Sequence, residues 1–126
     1  MVQVETSQLA SECNSWRETL RKYRDEFTQD NIRLQLAAKP SLSKDQLQQV
    51  EHLHNQFHIQ LINIHDIKQF IKAHVRKIDI ESSSGESVSD ETFTEHEELL
   101  DQFLSLESTF QELRNDFKNF TSAASC

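Results

Sequence analysis

The clearest structural pattern in the chain is in residues 96–120, with the sequence HEELLDQFLSLESTFQELRNDFKNF. Large apolar residues recur in it at alternating intervals of three and four positions, which is the spacing of one face of an α-helix. The eight positions of this register, seven of them apolar, are His96, Leu99, Phe103, Leu106, Phe110, Leu113, Phe117 and Phe120. A register kept for about seven turns predicts a long amphipathic helix.

We expect this third helix to span about 90–121. Ser89 is a favourable N-cap residue, and the carboxylates of Asp90 and Glu91 complement the positive end of the helix dipole. A second possible start is Thr92 with Glu95, because glutamate three residues after threonine has the spacing of a capping box.

The middle of the chain predicts a second helix, over about 44–78. Pro40 interrupts any helix that arrives from the N-terminal side, and Ser43 with Gln46 has capping-box spacing. The apolar register that follows reads Leu47, Val50, Phe57, Leu61, Ile64, Ile71, Val75 and Ile78, with His54 and Lys68 in its two polar positions. Neighbouring Leu53 and Ile67 widen the apolar stripe, as expected for a helix packed against two others.

The N-terminal third predicts a first helix, over about 7–38. Its register reads Leu9, Cys13, Trp16, Leu20, Tyr23, Phe27, Leu34 and Ala37. Asp30 is the one charged residue in that register. If the first two helices are antiparallel, Asp30 lies at the level of residues 50–54, so we expect a contact between Asp30 and His54.

Three helices of about 45–54 Å favour an all-α, up-down-up antiparallel three-helix bundle that forms a single domain over 1–126. The heptad spacing indicates coiled-coil packing with a left-handed supercoil. In the number and length of its helices the bundle resembles a spectrin-type three-helix repeat. An alternative stays open, in which the same stripes pair between chains to make a six-helix dimer.

Charge distribution favours the second and third helices as antiparallel neighbours. Bases cluster near the end of the second helix, at Lys68, Lys72, Arg76 and Lys77. Acids cluster at the start of the third, at Asp90, Glu91, Glu95, Glu97, Glu98 and Asp101. An antiparallel pair places the two clusters side by side, and each cluster suits its own helix dipole. The acidic, serine-rich segment 79–89 holds the only glycine and is the expected linker.

Composition narrows the possible partners. The net charge of −8 disfavours nucleic acid and anionic membrane surfaces, which carry the same sign. We find no secretory signal in the N-terminal residues and no apolar run of the roughly 20 residues that span a bilayer, and expect a cytoplasmic protein. Cys13 and Cys126 are then expected to be free thiols.

Histidines raise the question of a metal site. His54, His58 and His65 lie within about 40° of one another on the second helix, and histidines four apart can share a metal ion. These three are the candidate ligands, against the ordinary interpretation of boundary residues. His96 on the third helix is expected to lie closer to His74 than to His54.

Other chemical patterns are missing from the sequence. A single glycine excludes the glycine-rich loops that bind phosphate, and no serine or cysteine has the context of a nucleophile. The Glu51–His54 pair has the spacing used by di-iron bundles, but it occurs once and those sites need it on two helices. We expect no enzyme, no cofactor and no small-molecule substrate.

The second helix carries more apolar surface than one seam needs. Ile59, Ile62, Phe70 and Ala73 lie off its main stripe, and Leu104 of the third helix is expected at the level of Ile62. An exposed apolar patch of this kind indicates an interface, here Ile59, Ile62, Phe70 and Leu104. The function hypothesis is therefore a non-catalytic helical interaction module that binds a second copy of itself or another helical protein. The alternative is a metal-binding bundle that uses the histidines of the second helix.

Overall fold

The computed structural model of the protein describes residues 2–38, 42–85 and 88–124. Its three helices are α1 (Val2–Ala37), α2 (Lys44–Ser83) and α3 (Asp90–Ala124). All three helices pack against one another, and the described residues contain no strand. The predicted three-helix bundle is confirmed.

Contacts between side chains give the directions of the helices. Between α1 and α3, three hydrogen-bonded pairs are all separated by 84 positions: Glu12 with His96, Tyr23 with Glu107, and Asp30 with Arg114. A constant separation means that α1 and α3 run parallel. Rings of Phe27 and Phe57 pack at 5.4 Å, and His54 bonds to Asn31, so that later residues of α2 meet earlier residues of α1. The up-down-up order follows.

The start of α2 agrees with the sequence prediction. Ser43 Oγ accepts a hydrogen bond from the backbone N–H of Gln46, and Gln46 Oε1 accepts one from the backbone N–H of Ser43. This reciprocal pair is the predicted capping box. Pro40, which was expected to interrupt the preceding helix, lies outside the described residues.

The predicted linker begins too early, because α2 continues to Ser83 instead of ending near residue 78. Glu81, in the added turn, accepts hydrogen bonds from the backbone N–H of Ser89 and the hydroxyl of Thr92. These bonds tie the end of α2 to the start of α3. Gly85 then turns the chain with a φ of +77°, a conformation that glycine adopts without strain.

The start of α3 follows the first of the two predictions. Ser89 Oγ accepts a hydrogen bond from the backbone N–H of Thr92, so Ser89 acts as the cap and Thr92 lies inside the helix. Every residue of the α3 register from His96 to Phe120 is buried. The α1 register is also buried from Leu9 to Leu34, with Ala37 packed against its edge.

The register of α2 is the main correction. Its buried residues are Leu53, Phe57, Gln60, Ile64, Ile67, Ile71, His74 and Ile78. Five of the predicted positions are half-buried at the edge of the core, namely Val50, His54, Leu61, Lys68 and Val75, and Leu47 is exposed. Because α2 packs against both neighbours, positions 53, 60, 67 and 74 are buried in place of the predicted positions 54, 61, 68 and 75. Two of these buried residues, Gln60 and His74, are polar. Hydrophobicity alone therefore favoured the neighbouring Leu61 and Val75.

The predicted contact between Asp30 and His54 is also wrong. Asp30 Oδ2 accepts a hydrogen bond from Nε of Arg114 at 2.9 Å. Asp30 therefore faces α3 and not α2. His54 does reach α1, but its Nδ1 lies 2.9 Å from Oδ1 of Asn31. The axial level was correct, and the rotation of α1 decides which of two adjacent side chains faces α2.

Opposite charges meet where the charge pattern predicted. Lys77 Nζ lies 2.9 Å from Glu95 and 3.6 Å from Glu91, which joins the end of α2 to the start of α3. Among the described residues, no helix combines the length and the apolar character needed to cross a membrane.

Candidate functional site

The outer face of α2, defined by Ile59, Ile62, Phe70 and Ala73, is exposed. The first three side chains are 45%, 48% and 55% exposed, which is high for residues of this size. Their spacing places all four within about 80° of the helix circumference. The structure therefore brings the predicted α2 residues together on one strip.

A groove between α2 and α3 runs beside this strip. One section has a volume of about 500 Å³ and is lined in part by Ile67, Phe70 and Leu106. The adjoining section, of about 400 Å³, is lined in part by Phe70, Ala73 and Leu99. Phe70 lines both sections and is the largest apolar side chain common to them. Leu104 is 49% exposed but lines neither section.

The three histidines predicted as metal ligands are not gathered into one site. His58 and His65 are exposed, and His54 is half-buried against Asn31. Within the part of the chain that the structure describes, a different trio brings its ligand atoms within 4.8 Å of one another: Cys13, His74 and His96. We call this trio the Cys–His–His cluster. The expectation that His96 lies closer to His74 than to His54 is confirmed.

Each member of the Cys–His–His cluster comes from a different helix. Cys13 is in the buried register of α1, His74 in that of α2, and His96 opens that of α3. Nε2 of His74 lies 3.0 Å from Nδ1 of His96, and Sγ of Cys13 lies 3.9 Å from the same Nδ1. One thiol and two imidazole nitrogens thus face a common point inside the bundle.

Carboxylates lie on the outer sides of both imidazoles. Nε2 of His96 donates a hydrogen bond to Glu12 Oε2 at 2.6 Å. Nδ1 of His74 is 3.5 Å from Glu95 Oε2 and makes no hydrogen bond, although it is buried. Lys77 holds Glu95 in place by donating to its other oxygen.

Burial governs the protonation of the cluster. It raises the pKa of the Cys13 thiol to about 11, with a smaller contribution from the charge of Glu12. Burial also lowers the pKa of His74, and the neighbouring His96 lowers it further. Both effects favour the neutral forms of these groups. The ring of Trp16 packs against His96 at 4.7 Å, which restricts the orientation of the imidazole.

The sequence pattern predicted a location for each residue of the Cys–His–His cluster, but it did not predict that the three lie together. Cys13 was assigned to the core, and His74 and His96 were expected to be close. The missing information was the axial offset between α1 and α3, which puts Cys13 one position away from the level of His96. Comparisons of the chain with family models, with curated proteins and with solved structures found no match.

Proposed function

We propose that this protein is a non-catalytic helical interaction module that self-associates through the outer face of α2. The observation that carries the proposal is the exposure of Ile59, Ile62 and Phe70 on one strip of a helix whose opposite side already fills the core. Exposed apolar side chains grouped on one helix face are characteristic of sites that bind other proteins, although the exposed Asp66 lies between the two apolar pairs of this strip.

The shape of the surface favours a helix as the bound element. A groove between two helices accepts the apolar stripe of a third, in the way that amphipathic helices bind in grooves. The groove beside Phe70 is long and shallow, and Asp66 and Asp101 are among the residues that line it. A lining of this mixed character suits a partner helix with an apolar stripe and polar flanks.

A second copy of the chain supplies such a helix. Symmetric dimers pair the same patch on both subunits, so the outer face of α2 is the minimum surface that the dimer requires. An antiparallel pair of α2 helices brings the apolar residues of one strip onto those of the other. Another helical protein with the same pattern is the competing occupant.

Sedimentation equilibrium of the purified full chain tests the proposal. We expect the wild type to form dimers in the micromolar range and Phe70→Ser to sediment as a monomer with unchanged helix content. Leu104→Ser is the matched control, because Leu104 is similarly exposed but lies off the groove. A wild type that stays monomeric at high concentration rejects self-association. Equal weakening by both substitutions rejects the assignment to α2.

A further inference from the structure

When both of its imidazoles are neutral, the Cys–His–His cluster has one proton too few for the contacts that it makes. Three contacts lie in a row: Glu12 with His96, His96 with His74, and His74 with Glu95. A hydrogen bond in each contact needs one proton, so the row needs three. Two neutral imidazoles carry only two N–H groups between them. One contact is therefore left without a proton, and Nδ1 of His74 is the buried atom without a hydrogen bond.

A metal ion between the imidazoles removes this shortage. The two available protons then lie on the outer nitrogens, where His96 donates to Glu12 and His74 donates to Glu95. The inner nitrogens, Nδ1 of His96 and Nε2 of His74, direct their lone pairs at the ion. Histidine ligands of metals usually donate the other ring N–H to a carboxylate or carbonyl in this way.

We propose that Cys13 Sγ, His74 Nε2 and His96 Nδ1 bind a zinc ion in the core of the bundle, near one of its ends, with water as the fourth ligand. The donor set favours this metal, because one thiolate and two imidazoles suit zinc, whereas magnesium and calcium prefer oxygen ligands. All three ligands belong to one chain, so the site does not require the self-association proposed above.

Two of the three donor separations are close to those around a tetrahedral ion. Zinc–sulfur and zinc–nitrogen bonds of about 2.3 and 2.05 Å place two nitrogens about 3.3 Å apart, and a sulfur about 3.6 Å from a nitrogen. The observed separations are 3.0 Å for His74 to His96 and 3.9 Å for Cys13 to His96. Each differs from the tetrahedral value by about 0.3 Å. The third pair, Cys13 with His74, lies within 4.8 Å against a tetrahedral value of about 3.6 Å, so the Cys13 side chain must rotate towards His74 to complete the site.

The ion would connect the three helices at one level. Cys13, His74 and His96 lie near one end of the bundle, where Glu81 and Lys77 also join α2 to α3. Because the unfolded chain has no preformed site, the binding free energy adds to folding stability. Zinc is thus expected to stabilise this end of the bundle in particular.

Cobalt titration of the metal-free protein tests the ligands directly. In a Cys126→Ser background we expect one Co²⁺ per chain, with a thiolate-to-cobalt charge-transfer band in the near ultraviolet that Zn²⁺ displaces. Cys13→Ala removes the band, and His74→Gln and His96→Gln each weaken Co²⁺ binding at least tenfold. The matched control is His58→Ala with His65→Ala, two exposed histidines of the same helix, which leaves both band and affinity unchanged.

Two further measurements keep the proposal falsifiable if a core variant unfolds. Zn²⁺ raises the melting temperature of the Cys126→Ser protein, and it protects Cys13 from alkylation, without any change to the cluster. Absence of the charge-transfer band in folded protein overturns the proposal. Binding that is lost in the His58 and His65 variant, but kept in His74→Gln, overturns it in favour of the exposed histidines.

Discussion

The buried Asp30 forms an ion pair with the half-exposed Arg114 between the two parallel helices. Nε and Nη2 of the guanidinium donate to the two carboxylate oxygens at 2.9 and 3.3 Å, and the Asp30 side chain is 1% exposed. The pair occupies a core position of α1 that an apolar residue would otherwise fill. Arg114 also lies 3.3 Å from Glu26, one turn earlier. This arrangement specifies how α1 and α3 align.

Arg114→Leu is expected to lower the free energy of unfolding by roughly 3 kcal/mol, because it leaves the Asp30 carboxylate buried without its main partner. Urea denaturation at neutral pH measures the loss. The double variant Asp30→Leu, Arg114→Leu is expected to recover most of it, since well-packed apolar residues often replace a buried pair at little cost. Arg33→Leu is the control. Arg33 also lies near Asp30, at 3.9 Å, but its side chain is exposed, so its loss is expected to change stability much less than the loss of Arg114. An Arg114→Leu protein as stable as the wild type would contradict the assigned role.

Two phenylalanines of α2 test its register. Phe57 is fully buried, with its ring 5.4 Å from that of Phe27 and 5.6 Å from that of Phe117. Phe57→Ala is expected to cost about 3–5 kcal/mol of stability, as large-to-small core substitutions do. Phe70→Ala, at an exposed position, is expected to change stability by about 0.5 kcal/mol or less in the monomer. Thermal and urea denaturation at low protein concentration compare the two. Similar losses would show that the buried face of α2 is assigned wrongly.

The single tyrosine predicts how stability falls at alkaline pH. Burial, and then a hydrogen bond from the Tyr23 hydroxyl to Glu107 Oε2, raise the pKa of Tyr23 well above its ordinary value of about 10. A group with a raised folded-state pKa contributes stability that is complete below about pH 10 and is lost as the pH rises further. Tyrosinate absorbance, which reports only Tyr23 here, is expected to appear together with loss of helix. Tyr23→Phe should have a flatter alkaline stability profile. Ionisation of Tyr23 near pH 10 in a fully helical protein would refute this.

The capping box of α2 is expected to make a measurable contribution to the free energy of unfolding. Ser43→Ala removes the acceptor for the backbone N–H of Gln46 and is expected to lower stability by about 1 kcal/mol. Ser11→Ala is the control, because Ser11 is exposed and lies away from the ends of α1. This substitution is expected to be neutral or slightly stabilising, since alanine is the better helix former. If the two substitutions have equal effects, the cap does not contribute.

The α3 helix could be predicted almost completely from sequence, and α2 only in part. In α3 every buried position except Thr92 and His96 is a large apolar residue, so the apolar periodicity and the buried face coincide. In α2 the buried Gln60 and His74 interrupt the apolar pattern, while exposed Ile59, Ile62 and Phe70 add a competing one. Apolar periodicity shows where the apolar residues of a helix lie. It identifies the buried face only when the fold buries those same residues.

Spacing and charge order in the chain were enough to predict three long helices, the cap at Ser43, the antiparallel alignment of α2 with α3, and a position of His96 closer to His74 than to His54. Each of these depends on local spacing or on the order of charges along the chain. Packing of the three helices sets the buried face of α2, the partner of Asp30, and the position of Cys13 beside the two histidines. These depend on the rotation and axial offset of one helix relative to another, which the sequence pattern of a single helix does not contain.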